Sequence, residues 1–212
     1  AGRKHERLLM GLPGRDEFRN AMLRYVEIPG AKLFHALKFT PNNITVLGFV
    51  ITVISAYLVG AGWLLAGGIV FLLAGVLDLM DGGLARLTGQ ASPFGALMDS
   101  VFDRLSEASI FVGIAVFALR SDISDDRQMF FMTVLLLALI FSQGVSYLRA
   151  RGEGLGVFTK AGLMTRPERV LLLGVGLIVE QIEWMLLVIA VVSCLTLFQR
   201  LFTIRDMLDK TG

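Results

Sequence analysis

Long apolar runs alternate with short polar connections along most of the chain. An α-helix needs roughly 20 apolar residues to cross the hydrocarbon core of a bilayer. Runs close to that length predict six membrane-spanning helices, at about residues 43–61, 63–86, 94–119, 128–150, 167–182 and 184–204. The pattern therefore predicts an all-α integral membrane protein.

The segment that precedes the first span has a different pattern. Apolar and basic positions alternate there at helical spacing: Phe18, Ala21, Met22, Tyr25 and Val26, among Arg15, Arg19 and Arg24. This spacing predicts an amphipathic helix at the membrane interface, although a helix packed on the spans would have the same pattern. We divide the chain into an N-terminal juxtamembrane segment (1–40), a six-helix domain (41–205) and a C-terminal tail (206–212).

Composition and charge agree with this class. The 212 residues are 55% hydrophobic, and the formal net charge of +2 is too small to indicate a nucleic-acid partner. Of the 20 lysines and arginines, only Arg120 and Arg127 fall on one side of the predicted spans. The positive-inside rule then places both termini and the 151–166 loop in the cytoplasm, as expected for a multi-pass protein of the cell membrane.

Two pairs of aspartates interrupt the second and third predicted spans. Asp78 and Asp81 lie on one helical face, as do Asp99 and Asp103, and the short connection between the helices lets the pairs face each other. Converging carboxylates repel, and each costs a few kcal/mol within a membrane. Hard divalent cations offset both costs because they prefer oxygen ligands. A structural network with Arg86 and Arg104 is the alternative.

The residues around these aspartates follow a fixed pattern, D-x-x-D-G-x-x-A-R, eight residues, G, three residues, D, three residues, D. It resembles the signature of the CDP-alcohol phosphotransferase family, and every fixed position is matched: Asp78, Asp81, Gly82, Ala85, Arg86, Gly95, Asp99 and Asp103. The resemblance implies an integral membrane enzyme, usually a homodimer. Such enzymes transfer a phosphate-linked group from a CDP-activated donor to an alcohol and release CMP.

The resemblance also implies roles for individual residues. Asp78, Asp81 and Asp99 would be metal ligands, and Asp103 would be both a ligand and the general base, although spacing alone does not separate base from ligand. We expect two Mg²⁺ ions, and oxygen ligation also suits Mn²⁺ or Ca²⁺. The donor-binding residues would be Pro41, Asn42 and Thr45, in a family-like P-N/D-x-x-T element, together with Gly82, Ala85 and Arg86.

Arginines near the predicted cytoplasmic ends of the last three spans suggest a phosphate-bearing acceptor. A cluster of arginines can bind phosphate bidentately, although a single arginine there often anchors to lipid headgroups. The patterns S-Y-x-[KR]-A-R-x-E and R-P-E-R resemble phosphatidylinositol phosphate synthases of actinobacterial type. This resemblance implies inositol phosphate as the acceptor and CDP-diacylglycerol, or its archaeal-type ether counterpart, as the donor. The acceptor positions carried over are Ser146, Arg149, Arg151, Arg166, Arg169 and Arg200; that of Arg149 is often lysine in those enzymes.

Two other functions are compatible with parts of the sequence. A phosphatidylglycerophosphate synthase would have the same aspartate motif and would need a phosphate pocket for glycerol 3-phosphate. A cation transporter would explain the intramembrane carboxylates. It would not explain Gly82, Arg86 or the 41–45 element.

Overall fold

The structure, a computed structural model, describes residues 27–159 and 161–210. The described residues form seven α-helices and no strands: α1 (Ile28–Ala36), α2 (Pro41–Gly60), α3 (Leu64–Thr88), α4 (Pro93–Arg120), α5 (Asp125–Gly154), α6 (Arg166–Ile178) and α7 (Ile182–Leu208). The predicted all-α class is confirmed. The amphipathic helix predicted around residues 18–26 lies outside the described residues.

Four of these helices are long and apolar enough to cross a membrane: α2, α3, α5 and α7. The two other predicted spans correspond to α4 and α6. Helix α4 has the length, but it carries Asp99, Asp103, Arg104 and Glu107. Helix α6 has 13 residues, which is about 20 Å and shorter than the hydrocarbon core of about 30 Å.

Three helices begin at the same end of the bundle, which we call the site end, and each begins with a side-chain cap. Thr40 accepts a hydrogen bond from the Asn43 amide at the start of α2, and Ser92 accepts one from the Gly95 amide at the start of α4. Helix α6 begins with a capping box formed by Thr165 and Glu168. These caps satisfy backbone amides that a helix leaves without partners. The caps therefore fix the first turns of these three helices, close to the polar residues of the site.

Helix α2 packs along both α3 and α4, whereas the described part of the chain shows no comparable packing of α3 on α4. Small residues allow the close approach of α2 to α4, since a Cβ on Gly113 would collide with the backbone of Ala56. The apolar core contains Phe71, Ile110 and Leu177. The two aspartate-bearing helices are therefore both fixed on α2, and their side chains can meet in the space between them.

Candidate active site

Three of the four predicted aspartates converge at the site end. One carboxylate oxygen each from Asp78 on α3 and from Asp99 and Asp103 on α4 lie within 4.8 Å of one another. The side chains of Asp78 and Asp103 are 22% and 23% exposed. The cluster is thus partly desolvated but still accessible to a ligand.

Arg166 is the cation that faces this cluster. Its Nη1 donates a hydrogen bond to Asp78 Oδ2 and lies 2.6 Å from Asp103 Oδ1. Arg166 is the first residue of α6, where the Thr165–Glu168 capping box fixes the start of the helix. The sequence predicted that Arg166 binds the acceptor phosphate; the structure places it against two of the carboxylates that were predicted to bind metal.

The cluster fits a divalent cation. Three carboxylates face one guanidinium, so negative charge is in excess. Asp103 Oδ1 is buried without a hydrogen-bond partner, because its close contact with Arg166 does not have hydrogen-bond geometry. An oxygen-only donor set with an unsatisfied oxygen is what Mg²⁺, Mn²⁺ or Ca²⁺ would bind.

Asp81 lies at the side of this cluster and is held by neighbouring groups. The Thr45 hydroxyl on α2 donates a hydrogen bond to Asp81 Oδ2 at 2.6 Å, and the Gly82 amide donates to Oδ1 at 2.5 Å. Both Asp81 and Thr45 are buried. The predicted donor-binding residue Thr45 therefore also orients a predicted metal ligand.

The other predicted donor-binding residues lie around the first part of the motif. A Cβ on Gly82 would lie 3.4 Å from Arg86 Nη1, and a Cβ on Gly95 would lie 3.4 Å from Asn42 Oδ1. The 41–45 element thus reaches the glycine that precedes Asp99. Pro41 opens α2 as its first residue, and Ala85 is half-buried beside Arg86.

Arg169 has a different environment from Arg166. Its side chain is 1% exposed and forms a bidentate pair with Glu107 of α4, with nitrogen–oxygen distances of 2.5 and 3.0 Å. Arg169 also donates a hydrogen bond to the Ser146 hydroxyl at 3.1 Å. Two predicted acceptor residues therefore contact each other, together with an acid that the sequence analysis did not select.

The remaining predicted acceptor residues are distributed around the site end. Arg200 is buried and donates to the carbonyl oxygens of Ala161 and Val145, which ties α7 to the loop between α5 and α6 and to α5 itself. Arg149 is exposed and pairs with Glu153 at 3.0 Å. Arg149 also interacts electrostatically with Asp99. Arg151, near the end of α5, is exposed.

Sequence reasoning missed two acidic residues at the site end. Glu107 could have been found, because it continues the four-residue spacing of Asp99 and Asp103 along α4. Glu27 carries no comparable signal, although the structure pairs it with Arg86 from 59 residues away.

The sequence and the structure both resemble known proteins. A family model described as CDP-alcohol phosphatidyltransferase matches residues 38–198. The chain is 35% identical to an archaetidylinositol phosphate synthase of Pyrococcus horikoshii over 180 residues, which cover 84% of this chain and 90% of that one. It is 33% identical to a phosphatidylinositol phosphate synthase of Mycobacteroides abscessus over 175 residues, which cover 79% and 78% of the two chains.

The fold also resembles solved structures of a protein from this group. The fold matches a Mycobacterium tuberculosis phosphatidylinositol phosphate synthase with CDP-DAG bound, with a TM-score of 0.75 and 30% identity over 84% of this chain and 93% of that one. A structure of the same enzyme in complex with manganese and citrate also matches with a TM-score of 0.75 and 30% identity, over 84% and 88% of the two chains.

Proposed function

The chain belongs to the CDP-alcohol phosphatidyltransferase family, and we propose that it transfers a phosphatidyl-type group from a CDP-activated diacyl or diether lipid to inositol phosphate, with release of CMP. The observation that carries this proposal is the convergence of Asp78, Asp99 and Asp103 between helices α3 and α4. The complete family signature surrounds that cluster.

Inositol phosphate is favoured as the acceptor over glycerol 3-phosphate. Both relatives described above are named as inositol phosphate lipid synthases, although they differ in the lipid part of their names. Arg166 supplies a cation beside the reacting region that can bind the phosphate of either acceptor, so the names of the relatives carry the preference for inositol phosphate. A diacyl and a diether donor present the same diphosphate to these residues, so the proposal includes both lipids.

The cluster of carboxylates would hold the divalent cations, with Mg²⁺ expected and two ions per site. When bound, the cations would neutralise negative charge on the donor diphosphate. The structure of the related enzyme in complex with manganese and citrate supports a site for divalent cations in this chain. Asp81, oriented by Thr45, would complete the ligand set.

We assign the proton transfer to Asp103. Its carboxylate would accept the proton of the acceptor hydroxyl while the hydroxyl oxygen forms a bond to the phosphorus that carries the lipid. The bond from this phosphorus to the CMP oxygen breaks, and CMP leaves. Gly82 and Arg86 would hold the nucleotide diphosphate, with Pro41, Asn42 and Thr45 beside them and Ala85 leaving space.

Arg166 would bind the acceptor phosphate directly, and Arg149 and Arg151 would lie at the entrance. Buried Arg169 and Arg200 and half-buried Ser146 would shape the wall of this pocket, because their hydrogen bonds go to groups outside the aspartate cluster. The acceptor assignment then depends on Arg166 more than on any other arginine.

The membrane arrangement remains part of the proposal. We propose that α4 and α6 also cross the membrane, where α2, α3, α5 and α7 shield their polar faces, to give six spans within a domain at 41–205. The distribution of basic residues supports a cytoplasmic site end and cytoplasmic termini. A homodimer in the cell membrane is expected from the family resemblance.

The decisive experiment uses purified protein with CDP-diacylglycerol, Mg²⁺ and radiolabelled inositol phosphate or glycerol 3-phosphate. We expect the label of inositol phosphate to become lipid-soluble with stoichiometric release of CMP, and chelation of Mg²⁺ to stop the reaction. Glu183→Gln, on the opposite end of the bundle, is the control that should retain activity. Preferential labelling from glycerol 3-phosphate would overturn the assignment of inositol phosphate as the acceptor. Ion flux in liposomes without CMP release would overturn the proposal that the protein is an enzyme.

A further inference from the structure

Glu27 lies immediately before α1, and its carboxylate is buried against the family motif on α3. The Glu27 side chain is 11% exposed, whereas that of its partner Arg86 is 64% exposed. Arg86 Nη2 donates a hydrogen bond to Glu27 Oε1. A nearly buried acid is therefore the anchor of an otherwise exposed arginine.

Gly83 makes room for this acid. A Cβ on Gly83 would lie 2.6 Å from Glu27 Cγ, which is closer than real Cβ atoms approach other atoms, and 3.0 Å from Oε1, which is tighter than most real Cβ contacts. The family signature leaves position 83 variable, so the signature itself does not require a glycine there. The buried Glu27 side chain supplies a local reason for glycine at this position.

Packing of α1 on α3 holds Glu27 in place. Ala31 of α1, Ile44 of α2 and Leu84 of α3 form a small buried cluster beside it. Gly30 lies against the Met80 side chain, and a Cβ at Gly30 would collide with it. The position of Glu27 is thus set by a helix that precedes the first membrane span.

We propose that Glu27 is a positioning residue that fixes the guanidinium of Arg86 for the nucleotide diphosphate of the donor. The proposal rests on the proposed function, which assigns Arg86 to the donor. An exposed arginine samples many rotamers, and a ligand that binds it must order it. Glu27 orders it in advance, so the donor binds to an arginine that already points across Gly82.

The alternative role for Glu27 is competition with the donor for Arg86. Loss of the Glu27 charge would strengthen donor binding if Glu27 competes and would weaken it if Glu27 positions Arg86. A guanidinium has five N–H donors, so the contact through Nη2 does not exhaust its capacity for phosphate. Arg86 Nη1 lies over Gly82, at 3.4 Å from the position of a Cβ there. Positioning therefore outweighs competition, and loss of the Glu27 charge should weaken donor binding.

The first test is Glu27→Gln, with Glu183→Gln as a matched control that removes the charge of another arginine-paired glutamate. Because Arg86 is largely exposed, we expect a moderate rise of about fivefold in the donor KM, with a change below about twofold in the acceptor KM. Binding of soluble CDP, measured by calorimetry, should weaken by the same factor. An unchanged or lowered donor KM would overturn the proposal.

The second test uses Gly83→Ala, which should displace Glu27 and raise the donor KM by a similar factor. In a Glu27→Ala background the same change should add less than about twofold, since the colliding side chain is gone. Equal effects in both backgrounds would overturn the proposal. So would an unchanged donor KM in Gly83→Ala, which decides the matter if the Glu27 variants do not fold.

These tests separate the positioning role from the proposed function. If the wild-type protein transfers nothing to inositol phosphate, the proposed function fails, and CDP binding by wild type and Glu27→Gln still tests Glu27. If the wild type is active and both variants bind CDP normally, only the positioning role fails.

Discussion

Arg166 and Arg169 lie three residues apart on α6, yet their electrostatic surroundings are opposite. Arg169 is buried and forms a one-to-one bidentate pair with Glu107. Arg166 is about one-fifth exposed and faces three carboxylates. A closed pair with balanced charge has little capacity for a ligand, whereas an open cluster with excess negative charge can bind cations. The difference separates a structural ion pair from a candidate catalytic site, although α4 and α6 contribute residues to both.

The largest expected effect comes from the open cluster. Asp103→Asn keeps the size of the side chain but removes the proton acceptor, so turnover should fall by about 10²- to 10⁴-fold. Binding of Mn²⁺ and CDP, measured by calorimetry, should remain largely intact because the amide oxygen can still act as a metal ligand, and the thermal unfolding midpoint should also be unchanged. Near-normal turnover would show that the general base is another residue.

Substitution in the closed pair of Arg169 and Glu107 should reduce stability, whereas Asp103→Asn should reduce turnover and leave stability unchanged. Glu107→Gln leaves a buried guanidinium without an anionic partner, so we expect a loss of about 3–5 kcal/mol in the free energy of unfolding. The double variant Glu107→Leu/Arg169→Met replaces the pair with apolar side chains and should recover most of that loss. Thermal unfolding in one detergent at one protein concentration measures both. A Glu107→Gln protein of wild-type stability would contradict the structural role of the pair.

Removal of the Arg166 charge should weaken binding of the acceptor and strengthen binding of Mn²⁺. Arg166→Ala removes the phosphate-binding cation, so the acceptor KM should rise by about tenfold or more while the donor KM changes less. The same variant removes a positive charge beside Asp78 and Asp103, so Mn²⁺ should bind the free protein more tightly. Calorimetry with Mn²⁺ and steady-state kinetics measure the two effects. Equal effects on the donor and acceptor KM would contradict an acceptor site at Arg166.

Sequence patterns predicted the open cluster better than the closed pair. Asp78, Asp99 and Asp103 could be placed together because helical periodicity and a short connection constrain them strongly. The partner of Arg169 depends on how α6 sits against α4, and no local pattern fixes that arrangement. The sequence therefore grouped Arg166 with Arg169 as acceptor residues, whereas the structure gives the two arginines different partners. The four-residue step from Asp103 to Glu107 was the one available signal.

Asp81 is intermediate between the two environments, because it is buried near the cluster but hydrogen-bonded to Thr45. Thr45→Val keeps the shape of the side chain and leaves Asp81 Oδ2 without its donor. We expect a loss of about 1 kcal/mol in the free energy of unfolding and a modest weakening of Mn²⁺ binding. Thr203→Val, which removes a hydroxyl that bonds only its own helix at 2.8 Å, is the matched control. Identical effects of the two variants would show that the Thr45–Asp81 contact has no special role.

The smallest effect concerns Arg149, whose environment resembles neither of the two arginines on α6. Its exposed pair with Glu153, four residues along the same helix, should contribute only about 0.3–0.5 kcal/mol to stability. Arg149→Gln should therefore leave the unfolding midpoint nearly unchanged, and the acceptor KM tests whether Arg149 has a role in binding. A severalfold rise of the acceptor KM in Arg149→Gln, together with a near-normal value in Arg149→Lys, would show that a cation is required at the entrance of the phosphate pocket. An unchanged acceptor KM would limit direct phosphate binding to the open cluster around Arg166.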